Sequence, residues 1–129
     1  MVDKILADTS VLIGLQNGEK SIIKRFDKHK DEVVISRITA CEFIYGAQNK
    51  KEKEINKEFM ERLNVLEINE PISKHTFSLL DKYSLGMKLG IADALIASSA
   101  IVYNLHLWTL NTRHFKKIKE LKLFKPLLL

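Results

Sequence analysis

The sequence predicts an α/β domain built on a parallel sheet. Short β-like runs alternate with helical stretches along the whole chain, the pattern of strand–helix–strand units. No linker, repeat or low-complexity block divides the 129 residues, so they read as one domain, 1–129. Hydrophobic residues are 46% and charged residues 29%, the balance of a chain with a real core.

The first strand is Lys4-Ile5-Leu6-Ala7, ending at Asp8. Thr9 and Ser10 are good helix N-caps before the apolar Val11, Leu12, Ile13 and Leu15, and Gly18 is a C-terminal stop. A second helix is predicted from Glu19 to about Lys28. The second strand, Val33-Val34-Ile35, leads through Ser36 into a helix carrying Ile38, Cys41, Glu42, Ile44 and Tyr45. Lys50 to about Asn64 places Ile55, Phe59 and Leu63 at i, i+4, i+8 with charges on its other faces, which predicts an amphipathic surface helix with those three on its apolar face. Val65 to Ile68 is a third strand. Pro71 suits the first turn of a helix packing through Ile72, Leu79, Leu80 and Tyr83, and Gly86 and Gly90 bracket a loop or a short turn. Ile91 to Tyr103 is almost all apolar or small and predicts a buried helix. Leu105 to Leu110 is the next strand, a basic helix follows Asn111, and Leu121 to Phe124 forms an edge strand.

The net charge of +5 favours a polyanionic partner, although Lys and Glu alternate so often that a solvated surface explains much of it. No apolar run approaches the ~18–20 residues that span a bilayer. The opening Met1 to Leu6 is too short and too acidic for a secretory leader, which predicts a cytoplasmic protein. The single cysteine, Cys41, excludes an internal disulfide and reads as a buried apolar residue.

Three carboxylates stand in unusual places. Asp8 ends an apolar strand, Glu42 interrupts an apolar helix, and Asp93 opens the helix Ile-Ala-x-Ala-Leu-Ile-Ala. An ionised carboxylate is costly to bury without a partner, so each caps a helix, pairs with a cation or binds a metal. Asp8 admits the reading of an N-cap and Asp93 that of a first-turn acid favoured by the helix dipole. The alternative is a cluster beyond the carboxyl ends of the strands, joined by Asn111. Oxygen ligands without histidine or thiolate suit Mg2+ or Mn2+ rather than zinc.

Four segments in order carry a resemblance. Leu-Ala-Asp8-Thr9-Ser10-Val-Leu-Ile, Ile38 to Ala47 around Glu42, Gly90-Ile-Ala-Asp93-Ala-Leu-Ile-Ala97, and Thr109-Leu-Asn111-Thr-Arg113-His114-Phe115 resemble the four motifs of the PIN-domain family. Length and motif wording are similar to the VapC toxins of toxin–antitoxin pairs. The resemblance covers essentially the whole chain. It implies a PIN-like three-layer α/β/α fold and a Mg2+- or Mn2+-dependent endoribonuclease. It further implies an RNA substrate, a homodimer and a small cognate antitoxin. Asp8, Glu42 and Asp93 match the family's acidic metal-binding positions. Asn111 stands where some relatives have an aspartate, and His114 where another acid often stands. Three acids suffice for one metal and serve two less well.

Thr9 and Ser10 are placed to orient Asp8 or a bound water, and Arg113 to clamp a phosphate. Lys116, Lys117 and Lys119 would guide the RNA backbone or form a solvated face. The four histidines show no paired metal spacing and read as structural or surface residues. Ile13, Ile44 and Tyr45 are either core or a seat for the antitoxin tail. A haloacid-dehalogenase phosphatase would carry a second aspartate where Ser10 stands, and a response-regulator receiver needs an acidic pair that is absent. The remaining alternative is a PIN-fold RNA- or protein-binding module with weak or no catalysis, which the missing fourth acid favours.

Overall fold

Five short strands align in one parallel sheet in the computed structural model, which describes residues 4–87 and 89–125. Met1 to Asp3, part of the segment weighed as a leader, lie outside the described residues. The strands are β1 (Ile5–Ala7), β2 (Val33–Ser36), β3 (Asn64–Leu66), β4 (His106–Trp108) and β5 (Lys122–Leu123). The helices are α1 (Thr9–Gln16), α2 (Lys20–His29), α3 (Arg37–Tyr45), α4 (Lys50–Glu61), α5 (Glu70–Met87) and α6 (Ile91–Val102).

The spatial order is β3-β2-β1-β4-β5, every pair parallel. The chain builds outward from β1 to β3, then crosses back to place β4 on the other side of β1. The β1/β4 boundary is therefore the topological switch point, where parallel sheets open a crevice beyond their strand ends. Asp8, immediately after β1, lies at that crevice, and its N–H donates to the Trp108 carbonyl of β4 at 2.8 Å.

Alternation along the strands divides the core in two. Leu6, Val34 and Leu107 face α5 and α6 and pack with Leu79, Ala94, Ile96, Ala97 and Ala100. Ile5, Ala7, Val33, Ile35 and Trp108 face the other helices and pack with Val11, Leu12, Ile22, Phe43 and Met60. This is the three-layer arrangement expected above.

Local signals explain several boundaries. Ser36 caps α3 by accepting from the Ile38 N–H, and Asn49 caps α4 by accepting from Glu52. Asn69 accepts from the Ile72 N–H at the start of α5. Gly18, at φ 74°, closes α1: its N–H reaches the Leu15 carbonyl, and the Glu19 N–H reaches that of Gly14.

Four expectations need correction. The buried face of α4 carries Asn56 and Met60, while Ile55 is 53% exposed. Asn56 is drawn inward because its amide donates to the Phe43 carbonyl at 3.0 Å and accepts from Gln16 at 2.6 Å. No loop begins at Gly86, since α5 runs on to Met87. The basic segment after Asn111 forms only a 3-10 turn, Thr112–His114. Cys41 is exposed, because α3 turns it away from the sheet.

Candidate metal and phosphodiester site

The site begins with Asp8. It occupies the N-cap position of α1, yet its side chain caps no backbone N–H. Its Oδ2 instead accepts from Ser10 Oγ at 2.9 Å and from Thr109 Oγ1 at 2.7 Å. Asp8 is only 4% exposed, so these hydroxyls replace lost hydration on a buried carboxylate. Each hydroxyl is itself anchored: Ser10 Oγ accepts from the Leu110 N–H and Thr109 Oγ1 from the Asn111 N–H, both at 3.0 Å. The segment after β4 thus locks the carboxylate at the end of β1.

Asp93 lies in the first turn of α6, whose N-cap is Gly90. Its Oδ2 lies 3.2 Å from Nδ1 of His114. Burial, and then the nearby charge of Asp8, hold the Asp93 carboxyl above its ordinary value of 3.8, against the opposing pull of His114. Asp8 and Asp93 therefore share one electrostatic environment. Among the described residues neither forms an ion pair with a lysine or arginine.

Glu42 stands one step away. Its Oε1 accepts from Thr9 Oγ1 at 2.7 Å, and that hydroxyl also lies 3.1 Å from Thr39 Oγ1. Thr9, which follows Asp8 in the chain, thus ties Glu42 to the start of α1. Thr9, Glu42, Ile13, Gln16 and Asn56 line a shared hollow. Among the described residues no three His, Cys, Asp or Glu side chains group closely enough to hold one ion. The carboxylates closest in electrostatic effect are Asp8 and Asp93, with Glu42 set off through Thr9.

Asn111 and Arg113 are exposed beside the site and share a small concavity with Leu110, Thr112 and His114. Ile13 and Tyr45 are exposed and Ile44 is half-buried, which removes Ile13 and Tyr45 from the core. Sequence reasoning missed Thr109 as the anchor of Asp8, and Thr39. It also left His114 without its contact to Asp93. The signal for Thr109 was its place two residues before Asn111.

The PIN domain family matches residues 5–121. The chain therefore belongs to the PIN-domain family, and Asp8, Glu42, Asp93 and Asn111 all fall within the matched span. Ribonuclease VapC1 of Methanocaldococcus jannaschii is 38% identical, with 91% of this chain and 82% of the relative covered. The tRNA(fMet)-specific endonuclease VapC of Shigella flexneri is 30% identical, covering 92% and 95%. The solved DNA-bound VapBC from Salmonella typhimurium superposes with a TM-score of 0.83 at 29% identity, covering 95% of this chain and 97% of that one. Within the family the chain is of the VapC ribonuclease type found in VapBC toxin–antitoxin systems.

Proposed function

We propose that this chain is an endoribonuclease that depends on Mg2+ or Mn2+ and serves as the toxin of a VapBC-type pair. The observation supporting the metal is the donor set. Burial, and then the charge of Asp8, raise the pKa of Asp93; the two acids are compensated by no lysine or arginine among the described residues and offer only hard oxygen ligands. Asp8 and Asp93 would hold the ion, with Glu42 and the Asn111 carbonyl oxygen adding to the oxygen-rich rim. When bound, such an ion polarises the phosphoryl oxygen and acidifies a water. Ser10 and Thr109 hold Asp8 in its rotamer, an ionised acid of the group orients the attacking water, and Arg113 binds an RNA phosphate.

The partners follow from the relatives. The Salmonella, Klebsiella and Rickettsia structures are toxin–antitoxin complexes, and the Shigella relative is named for tRNA(fMet). We assign RNA, a tRNA first among substrates to try, and an antitoxin whose tail meets the exposed Ile13, which shares a concavity with Glu42, and the exposed Tyr45. A homodimer is the assembly this reading carries. The test is cleavage of tRNA with Mg2+ or Mn2+ by the wild type, Asp8→Asn and Asp93→Asn. Loss of cleavage in both folded variants, and in wild type with chelator, supports the nuclease. Undiminished cleavage in either variant overturns the site. Arg113→Ala with unchanged cleavage and RNA binding removes the phosphate clamp.

A further inference from the structure

His114 stands opposite Asp93 with Nδ1 at 3.2 Å from Oδ2, and no other described residue hydrogen-bonds that carboxylate. Asp93 sits near the charge of Asp8, so repulsion alone would swing it outward toward solvent. The two carboxylates are restrained by the same device. Asp8 Oδ2 is taken by Ser10 and Thr109, and Asp93 Oδ2 by His114. In each, Oδ1 accepts from none of the described residues and is left for a ligand.

We propose that His114 is a positioning residue, which holds the Asp93 carboxylate in the orientation that receives the divalent cation. The inference rests on the metal-dependent reading above. It needs no particular charge on the ring, because Nδ1–H donates in the neutral Nδ1 tautomer and in the imidazolium alike. Outer-shell partners of this kind commonly govern metal affinity by about 10–100-fold. His114 is exposed, so its removal leaves the core intact.

The experiment is calorimetric titration of Mn2+ into the wild type, His114→Ala, His114→Asn and Asp8→Asn, with thermal midpoints taken without metal. His114→Ala keeps its midpoint and binds Mn2+ about tenfold more weakly. His114→Asn, whose amide N–H lies near the position of Nδ1, recovers most of that loss. The Mn2+ concentration for half-maximal tRNA cleavage rises in His114→Ala while KM for RNA at saturating Mn2+ stays put. Affinity in His114→Ala equal to or tighter than wild type overturns the inference alone, as does an asparagine variant no better than alanine. A wild type that binds no Mn2+, or an Asp8→Asn that binds as wild type does, overturns the metal reading and this inference with it.

Discussion

At neutral pH the Asp93 carboxylate is ionised in a place that disfavours its charge, half-buried and near Asp8. A folded-state pKa above the ordinary value means that the native state holds its proton more tightly than the unfolded chain. Stability is then greatest at acid pH with respect to this group, and falls as pH rises from the ordinary 3.8 through the raised value. Asp93→Asn removes that loss while keeping an acceptor for His114. The metal-free variant is expected to melt above wild type at pH 7, with the gap closing below about pH 4 as both side chains become neutral. A melting series with pH decides it, and a gap that widens toward acid refutes the cause given. Thr109 is the complementary case. Thr109→Val keeps the shape but strips the Asp8 oxygen of a donor and the Asn111 N–H of its acceptor. Denaturant unfolding should show a loss of about 1.5–3 kcal/mol, the range for hydrogen bonds to charged groups. The three acids were legible in the sequence because charge inside an apolar run demands an explanation. Thr109 was not, because a threonine ending a strand is ordinary until one knows that β4 lies beside β1.

Among the elements, α4 gives the clearest contrast between pattern and packing. Apolar spacing predicts that Ile55 is buried, but the helix is rotated so that Asn56 faces inward. The Phe43 carbonyl lies near the end of α3, where carbonyls run out of helical donors, and the Asn56 amide supplies one. Phe59 and Leu63 do pack against the core, but a polar residue at an inward-facing position carries no periodic signal, so the apolar spacing placed Ile55 inside instead of Asn56. The opposed substitutions test this. Ile55→Lys should change stability by no more than about 0.5 kcal/mol, as for an exposed site. Asn56→Ala should cost about 1–3 kcal/mol through the unsatisfied carbonyl. Thermal or urea unfolding of both variants reads the difference, and the reverse ranking would mean that α4 packs on its other face. The first two strands and their helices were readable because Ile5 to Ala7 and Val33 to Ile35 are short apolar runs that end at Asp8 and Ser36, the N-cap positions of α1 and α3. The turn after Asn111 was not, because Phe115 and Ile118 are drawn into the core beside α6 and curtail a helix that the lysines alone would favour.

Over the whole molecule, a net charge of +5 surrounds the carboxylates of Asp8 and Asp93 at the β1/β4 switch point. The sheet order produces this arrangement. By returning β4 to the flank of β1, it brings Asp8 and Thr109 together and makes the segment from Asn111 onward the rim of the same crevice. Lys116 and Lys117 follow on that rim, exposed and in no ion pair among the described residues. Under the proposed function they would meet the RNA backbone while the acids meet the scissile bond. The two roles respond differently to salt. Each phosphate neutralised by a lysine releases counterions, and for single strands the logarithm of affinity falls with the logarithm of salt by about 0.7 per contact. The double variant Lys116→Ala, Lys117→Ala should therefore flatten the salt slope of RNA binding by about 1.4. KM should rise with kcat nearly unchanged, because the lost contacts are made equally before and during bond breaking. Mn2+ affinity should be unaltered, since neither lysine touches Asp8 or Asp93. Filter binding to tRNA across a salt series, beside steady-state cleavage, separates these effects. An unchanged slope with a lowered kcat would place the lysines at the reacting phosphate instead of along the approach to it.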